Sequence, residues 1–341
     1  MARKAVVLFN LGGPDNLEAV EPFLFNLFYD PAIIRLPKPL RFLVAKLISK
    51  RRGPIAREIY ENMGGRSPIV PQTEDQASSL SALLNDGGDE YQVFIAMRYW
   101  HPRAVQTVKD VKAFNPDEVI LLPLYPQFST TTTASSLEEW EGEAKRQGLE
   151  VPTSSICCYP DEAGFVEANA ELIKAKLAEV KGDQLPRLLF SAHGLPKKIV
   201  DAGDPYPWQV EQSVNAIMKA LGRDDLEHLI CFQSRVGPVE WIGPDTEEEI
   251  KRAGAEKRSV MVIPVAFVSE HSETLVELDI EYGELAKEVG IPEYLRVPTV
   301  TTNPFFVEGL ARLVKGCQKN CMTSSCGKRI CPANAAGCKT T

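Results

Sequence analysis

Apolar residues come in short, nearly unbroken runs, each followed by a polar turn and then by a stretch with helical spacing. Residues 5–10 (AVVLFN), 91–100 (YQVFIAMRYW) and 118–128 (EVILLPLYPQF) read as strands. The first ends at Gly12-Gly13-Pro14, which forces a turn. Asp15 or Asn16 can cap the following helix, where Val20, Phe23, Leu24 and Leu27 recur at helical spacing. Residues 53–88 are helical in pattern with breaks at Gly64-Gly65 and Pro68. A hydroxyl-rich loop, Thr130 to Ser136, leads into a helix over 137–147, and residues 149–160 read as a crossover. The layout then repeats. A helix over 164–180 precedes strands at 187–196, 228–238, 260–268 and 294–300, and an amphipathic helix covers 303–316.

Strands alternating with helices imply parallel sheets. The two halves also rhyme: VVLFNLGGP matches RLLFSAHGLP in layout, and VILLPLYPQFS matches VMVIPVAFVSE. The expected fold is α/β with two similar Rossmann-like domains, each a parallel sheet flanked by helices, whose strand ends face an interdomain cleft. Expected boundaries are 1–150 and 151–302, then the helix 303–316 packing back on the N-terminal domain, and a tail over 317–341. A length of 341 residues suits two domains.

The polar chemistry concentrates at strand ends, where open α/β sheets place their ligands. Residues 262–284 run from a buried-looking strand into a helical pattern, with Ser272 placed as its N-cap. Glu273, Glu277 and Glu281 then fall four apart, one ridge of carboxylates with His271 at its head. Carboxylates plus imidazole suit a divalent metal, although a solvated helix face has the same spacing. Only four histidines occur, and His193, like His271, stands at a strand end. A neutral imidazole there can ligate a metal or accept a proton. Other strand ends carry Arg98, Tyr99 and Trp100; Tyr125, Gln127, Phe128 and Ser129; Gln233, Ser234 and Arg235, with Trp241 soon after; and Phe267. Aromatics with a few cations fit a flat apolar ligand bearing carboxylates. The glycine-rich turns match no nucleotide-binding pattern.

Charge narrows the partners. A net charge of −8 argues against nucleic acid. Residues 31–52 reverse the sign locally: Arg35, Lys38, Arg41, Lys46, Lys50, Arg51 and Arg52 stand among apolar residues without one acidic side chain. Such a segment can lie on an anionic membrane surface or serve as a core-facing helix with snorkelling lysines. The N-terminus reads as a first strand rather than a signal peptide, and no apolar run approaches a membrane span, so a cytoplasmic protein is expected. Cys317, Cys321, Cys326, Cys331 and Cys338 crowd the tail, which in that compartment favours metal binding over disulfides.

Long motifs then carry a resemblance. SAHGLP (191–196), FQSRVGPVEWIGPDT (232–246) and PVAFVSEHSETLVELDIEY (264–282) resemble the ferrochelatase family. NLGGP, KRRGPI, GGRSPI, MRYWHP and LPLYPQFS agree with it in order over roughly residues 4–316. The resemblance implies a lyase of heme synthesis that inserts Fe²⁺ into protoporphyrin IX and releases two protons, in a chelatase-type fold. The alternatives are coproporphyrin as substrate, or a porphyrin or heme carrier with an Fe–S sensor tail. By motif it implies catalytic roles for His193, Glu273 and His271, and metal contacts at His193, Glu273, Glu277 and Glu281. It implies porphyrin contacts at Leu11, Arg52, Arg98, Tyr99, Ser129, Trp241 and Phe267. Residues 31–52 become a lip for porphyrin uptake and peripheral association with the inner membrane. The tail resembles that of members holding a [2Fe–2S] cluster on four thiolates, some of which are homodimers. The stretch after YPQ has no cysteine, so the five tail cysteines, or Cys157 or Cys158, are the candidate ligands, with a zinc site or free thiols as alternatives.

Overall fold

The computed structural model describes residues 1–182, 184–235, 239–325 and 327–339. The apolar runs become strands β1 (Arg3–Asn10), β2 (Glu90–Met97), β3 (Glu118–Pro123), β4 (Thr153–Cys158), β5 (Arg187–His193), β6 (His228–Gln233), β7 (Val260–Pro264) and β8 (Tyr294–Arg296). A short strand, β9 (Met322–Ser324), lies in the tail. The chain forms two compact units. One comprises Met1–Cys158 with Leu310–Arg329, the other Tyr159–Gly309 with Ile330–Lys339. The boundary between them passes through the helix Pro304–Gly316.

The first unit holds a parallel sheet in the order β2-β1-β3-β4-β9, the second a parallel sheet in the order β6-β5-β7-β8. Numbered within each unit, both start 2-1-3-4. The rhyme in the sequence is therefore a rhyme in topology: β1 corresponds to β5, and β3 to β7. Strand order reverses between β1 and β3, and between β5 and β7, and such a switch point opens a crevice at the strands' carboxyl ends.

Burial explains the unbroken apolar runs. In β5, Leu188, Phe190 and Ala192 face Val210, Val214 and Ile217 of the helix Tyr206–Leu221. The alternate residue Leu189 faces Ile250, Leu278, Tyr282 and Ala286 on the other side. Period-two alternation thus finds an apolar layer on both faces. Each fully buried Leu, Ile or Phe contributes roughly 1.5–3 kcal/mol. In the first unit Phe9, Leu121 and Trp140 pack with Val108 and Val111, and Gly12, at φ +80°, makes the turn after β1.

Three expectations change. The crossover expected over 149–160 contains β4, whose Ser154 and Ser155 interrupt the apolar signal but are buried in the sheet. Part of the tail is strand: β9 adds in parallel to β4, with Ser155 N–H donating to Cys321 O and Ser325 N–H to Cys158 O. Ser272 does not cap a helix. It is itself in the right-handed helical conformation, makes no side-chain cap bond, and precedes a π-helix, Glu273–Glu281.

Candidate active site

His193 is the last residue of β5 and Pro264 the last of β7, the two strands that flank the switch point of the second sheet. After β7 the chain turns through Phe267 and His271 into the π-helix, which runs on as the α-helix Tyr282–Glu288. A π-helix bonds i→i+5, is rare, and is frequently found at functional sites.

Here the π-helix brings Glu273 to His193. His193 Nδ1 lies 2.8 Å from Glu273 Oε2. A carboxylate only accepts, so Nδ1 carries a proton, and in the neutral form of the ring Nε2 keeps its lone pair. The next residue is Gly194 because a side chain there would meet the Gln233 carbonyl at 3.0 Å and the Trp241 ring at 3.2 Å. The Tyr206 hydroxyl hydrogen-bonds the His193 backbone. His271 is buried against the Phe267 ring, centroids 4.7 Å apart, with Nε2 3.9 Å from Glu273 Oε1.

Ser234 joins the first two carboxylates of the ridge. Its N–H donates to Glu277 Oε1 at 2.8 Å, and its Oγ lies 2.5 Å from Glu277 Oε2 and 3.2 Å from Glu273 Oε2. Gln233 Nε2 and Tyr282 Oη also donate to Glu277. Ser234 adopts φ +61°, a left-handed backbone that costs about 1–3 kcal/mol in a non-glycine residue. One hydroxyl proton cannot serve two carboxylates. The Ser234 hydroxyl therefore donates to one of the two carboxylates at a time.

The two carboxylates differ in their electrostatics. Burial and the Glu273 charge raise the Glu277 carboxyl. Burial works against ionisation of Glu273 too, but His193 outweighs it and holds that carboxyl at about 2. Burial lowers His193, yet the Glu273 carboxylate dominates and the imidazole is raised above 6.5. Burial lowers His271, which is therefore neutral at pH 7. Glu281 sits at the solvent end, raised by burial and by the charges of Glu247 and Glu284.

The family model for ferrochelatase matches residues 3–317. The chain belongs to the ferrochelatase family. The ferrochelatase of Caulobacter vibrioides (strain NA1000 / CB15N) is 52% identical over 339 residues, 98% of this chain and 96% of that protein. Those of Pelagibacter ubique (strain HTCC1062) and Rickettsia bellii (strain OSU 85-389) are each 50% identical, covering 92% and 98% of this chain and 90% and 94% of theirs. Among solved structures, SirB from Bacillus subtilis with Fe³⁺ shares the fold at a TM-score of 0.52 and 11% identity, over 92% of this chain and 95% of that one. Ferrochelatases are metal chelatases, classed as lyases, and insert iron into porphyrin in heme synthesis; this is the chain's activity.

The ferrochelatase motif residues of the first unit occupy varied settings. Arg98 pairs with Asp30 at 2.7 Å and Glu139 at 3.2 Å, and donates to Ser135 Oγ. Tyr99 is 1% exposed and its hydroxyl donates to Asp30. Ser129 is buried, Leu11 half-buried and Arg52 exposed. A carboxylate ligand reaching Arg98 would therefore compete with two carboxylates already there.

The helix Lys38–Glu61 carries the basic segment. Leu43 (66%), Leu47 (69%) and Ile55 (64%) on it are exposed, as are Ile33, Leu36, Leu40 and Phe42. No helix among the described residues is long and apolar enough to cross a membrane.

The described tail cysteines occupy separate settings. Cys331 is buried and accepts from Gln209 Nε2 at 3.1 Å, Cys321 is exposed, and Cys317 and Cys338 are half-buried. Cys326 lies outside the described residues. Among the described residues no three His, Cys, Asp or Glu are grouped to hold a metal ion. Cys157 and Cys158 lie side by side in β4 with Sγ atoms 3.1 Å apart. The sequence placed Gln233 and Ser234 at a strand end but not as partners of the carboxylate ridge, and it did not point to Tyr206. A Gln-Ser pair ending the strand beside that of His193 was the available signal.

Proposed function

We propose that the chain inserts Fe²⁺ into protoporphyrin IX with His193 and Glu273 as the working pair. The observation that carries this reading is the 2.8 Å contact that leaves His193 Nε2 as a proton acceptor backed by a carboxylate. His193 Nε2 takes a pyrrole proton, and Glu273 stabilises the imidazolium that forms, as an acidic partner does in other histidine bases. His271 supports Glu273 as a neutral neighbour. Glu277, through Ser234, exchanges protons with Glu273. Glu281 begins the row at solvent, and His193, Glu273 and Glu277 offer iron oxygen and nitrogen ligands in place of water. Phe267 and Trp241 are proposed as walls for the macrocycle, with Leu11, Tyr99 and Ser129 as further contacts. Arg52 and Arg98 are the proposed cations for its carboxylates.

The test is anaerobic iron insertion into protoporphyrin and coproporphyrin side by side. Protoporphyrin is expected to be preferred, and His193→Ala and Glu273→Gln to lose at least about a hundredfold in rate, the scale of general-base catalysis, with folding intact. Near-normal rates in both variants would sink the assignment. Preference for coproporphyrin would overturn the substrate.

The exposed apolar and basic face over 31–52 supports a peripheral membrane contact for porphyrin uptake, on the cytoplasmic side of the inner membrane. The cysteine-rich tail supports a [2Fe–2S] cluster, or a Cys₄ zinc site as the second reading, and a homodimer as in cluster-bearing members. No step of iron insertion runs through the tail. Anaerobically purified protein is expected to show Fe–S absorption, whereas a colourless protein with bound zinc would replace the cluster by zinc.

A further inference from the structure

The π-helix that presents Glu273 is gripped from the far side by the edge strand β8, by two side chains two residues apart and so on one strand face. Tyr294 Oη donates to the Leu278 carbonyl at 2.6 Å. Arg296 donates Nε to Asp279 Oδ1 at 2.7 Å and Nη2 to Asp279 Oδ2, a bidentate fork. Its remaining nitrogen, Nη1, reaches Glu270 Oε1 at 2.6 Å. The same Glu270 oxygen accepts the Thr299 N–H at 2.9 Å, in the chain just beyond β8.

One guanidinium thus bridges two carboxylates that flank the working residues: Glu270 stands just before His271, and Asp279 lies within the π-helix beyond Glu277. Arg296 and Glu270 are 11% and 12% exposed in their side chains. Charge-assisted, bidentate bonds out of water are directional and strong. The need is physical. A π-helix is an uncommon winding with an α-helical alternative close by, since the chain continues as α-helix from Tyr282. The two windings place side chains along the ridge differently, and Glu273 must stay within hydrogen-bond reach of His193.

We propose that Arg296 is a positioning residue for iron insertion: by joining Glu270 to Asp279 it holds the π-helix and the turn before it as one piece, with Glu273 aimed at His193. Arg296 touches neither His193 nor Glu273. Lysine cannot replace it, because an ammonium lacks the planar fork that spans both carboxylates.

The proposal rests on Glu273 being the working carboxylate, so Glu273→Gln is assayed alongside as the reference. Initial rates of anaerobic iron insertion, porphyrin KM and thermal melts are measured for Arg296→Lys, Arg296→Gln, Asp279→Asn and the Arg296→Lys/Asp279→Asn pair. Asp279 is 35% exposed in its side chain, which favours a folded Asp279→Asn protein. The expected result is a fall in kcat of about tenfold or more, the scale of a small misplacement of catalytic groups. Porphyrin KM stays unchanged, and the double variant is no worse than Arg296→Lys alone, because both remove one link. Full kcat in the Arg296 variants beside an inactive Glu273→Gln overturns this proposal alone. Loss of rate only in step with loss of folded protein, or additive losses in the double variant, overturns it as well. An active Glu273→Gln would remove the site reading beneath it.

Discussion

His193 and Glu273 give each other opposite titrations, and the signs lead to a measurable pH dependence. Glu273 is held at about 2, below its ordinary 4.5, so its share of stability is present above pH 4.5 and is lost as pH falls toward 2. His193 is raised above 6.5, so its share is present below that pH and is lost as pH rises through the raised value. Catalysis has the reverse requirement at the histidine, because only the neutral ring accepts a proton. The insertion rate is expected to climb with pH through a limb above 6.5, and Glu273→Gln to move that limb down. A kcat–pH profile of both proteins checks this, and an unmoved limb would detach the limb from the pair. At this scale the sequence was informative about which residues carry chemistry. It was silent about their partners, since Ser234, Tyr206 and Arg296 act through contacts across 39, 13 and 17–26 residues of chain.

Among the elements, strands that are apolar throughout were legible because both faces are buried, and burial writes itself into composition. The strands that escaped notice are β4, whose polar residues are buried by pairing, and β9, a three-residue strand within the cysteine-rich tail. The π-helix escaped for another reason: residues four apart make a ridge in either winding, so spacing cannot tell them apart. Packing between elements yields its own prediction. Gly254 lies in the helix Thr246–Ala255, and a Cβ there would come within 2.6 Å of both Val289 O and Val289 Cγ2. Gly254→Ala should therefore destabilise by about 1–3 kcal/mol, as overpacking does, despite alanine's better helix propensity. A lowered melting temperature is the expected readout; a raised one would show that Val289 yields freely.

For the whole molecule, charge is the property that sums, and its exception points to a surface. The chain carries −8 overall, yet six of the seven cations in 31–52 are exposed, and Arg41 alone is buried. Leu43 and Leu47 stand out among them. Leu43→Glu with Leu47→Glu is expected to reduce binding to anionic lipid vesicles and leave insertion into detergent-solubilised porphyrin unchanged. Equal vesicle binding by both proteins would remove the membrane reading of this face. By itself the sequence determined the α/β class, the repeat of one half in the other, and the residue types at the strand ends. These follow from burial, periodicity and turn chemistry, which act over a few neighbouring residues. Only the tertiary structure decided that the carboxylate ridge is a π-helix at a switch point, that Glu273 rather than Glu277 meets His193, and that Arg296 clasps the assembly from behind. Each of those depends on pairing between segments far apart in the chain, where winding, register and side-chain reach are set by packing rather than by local pattern.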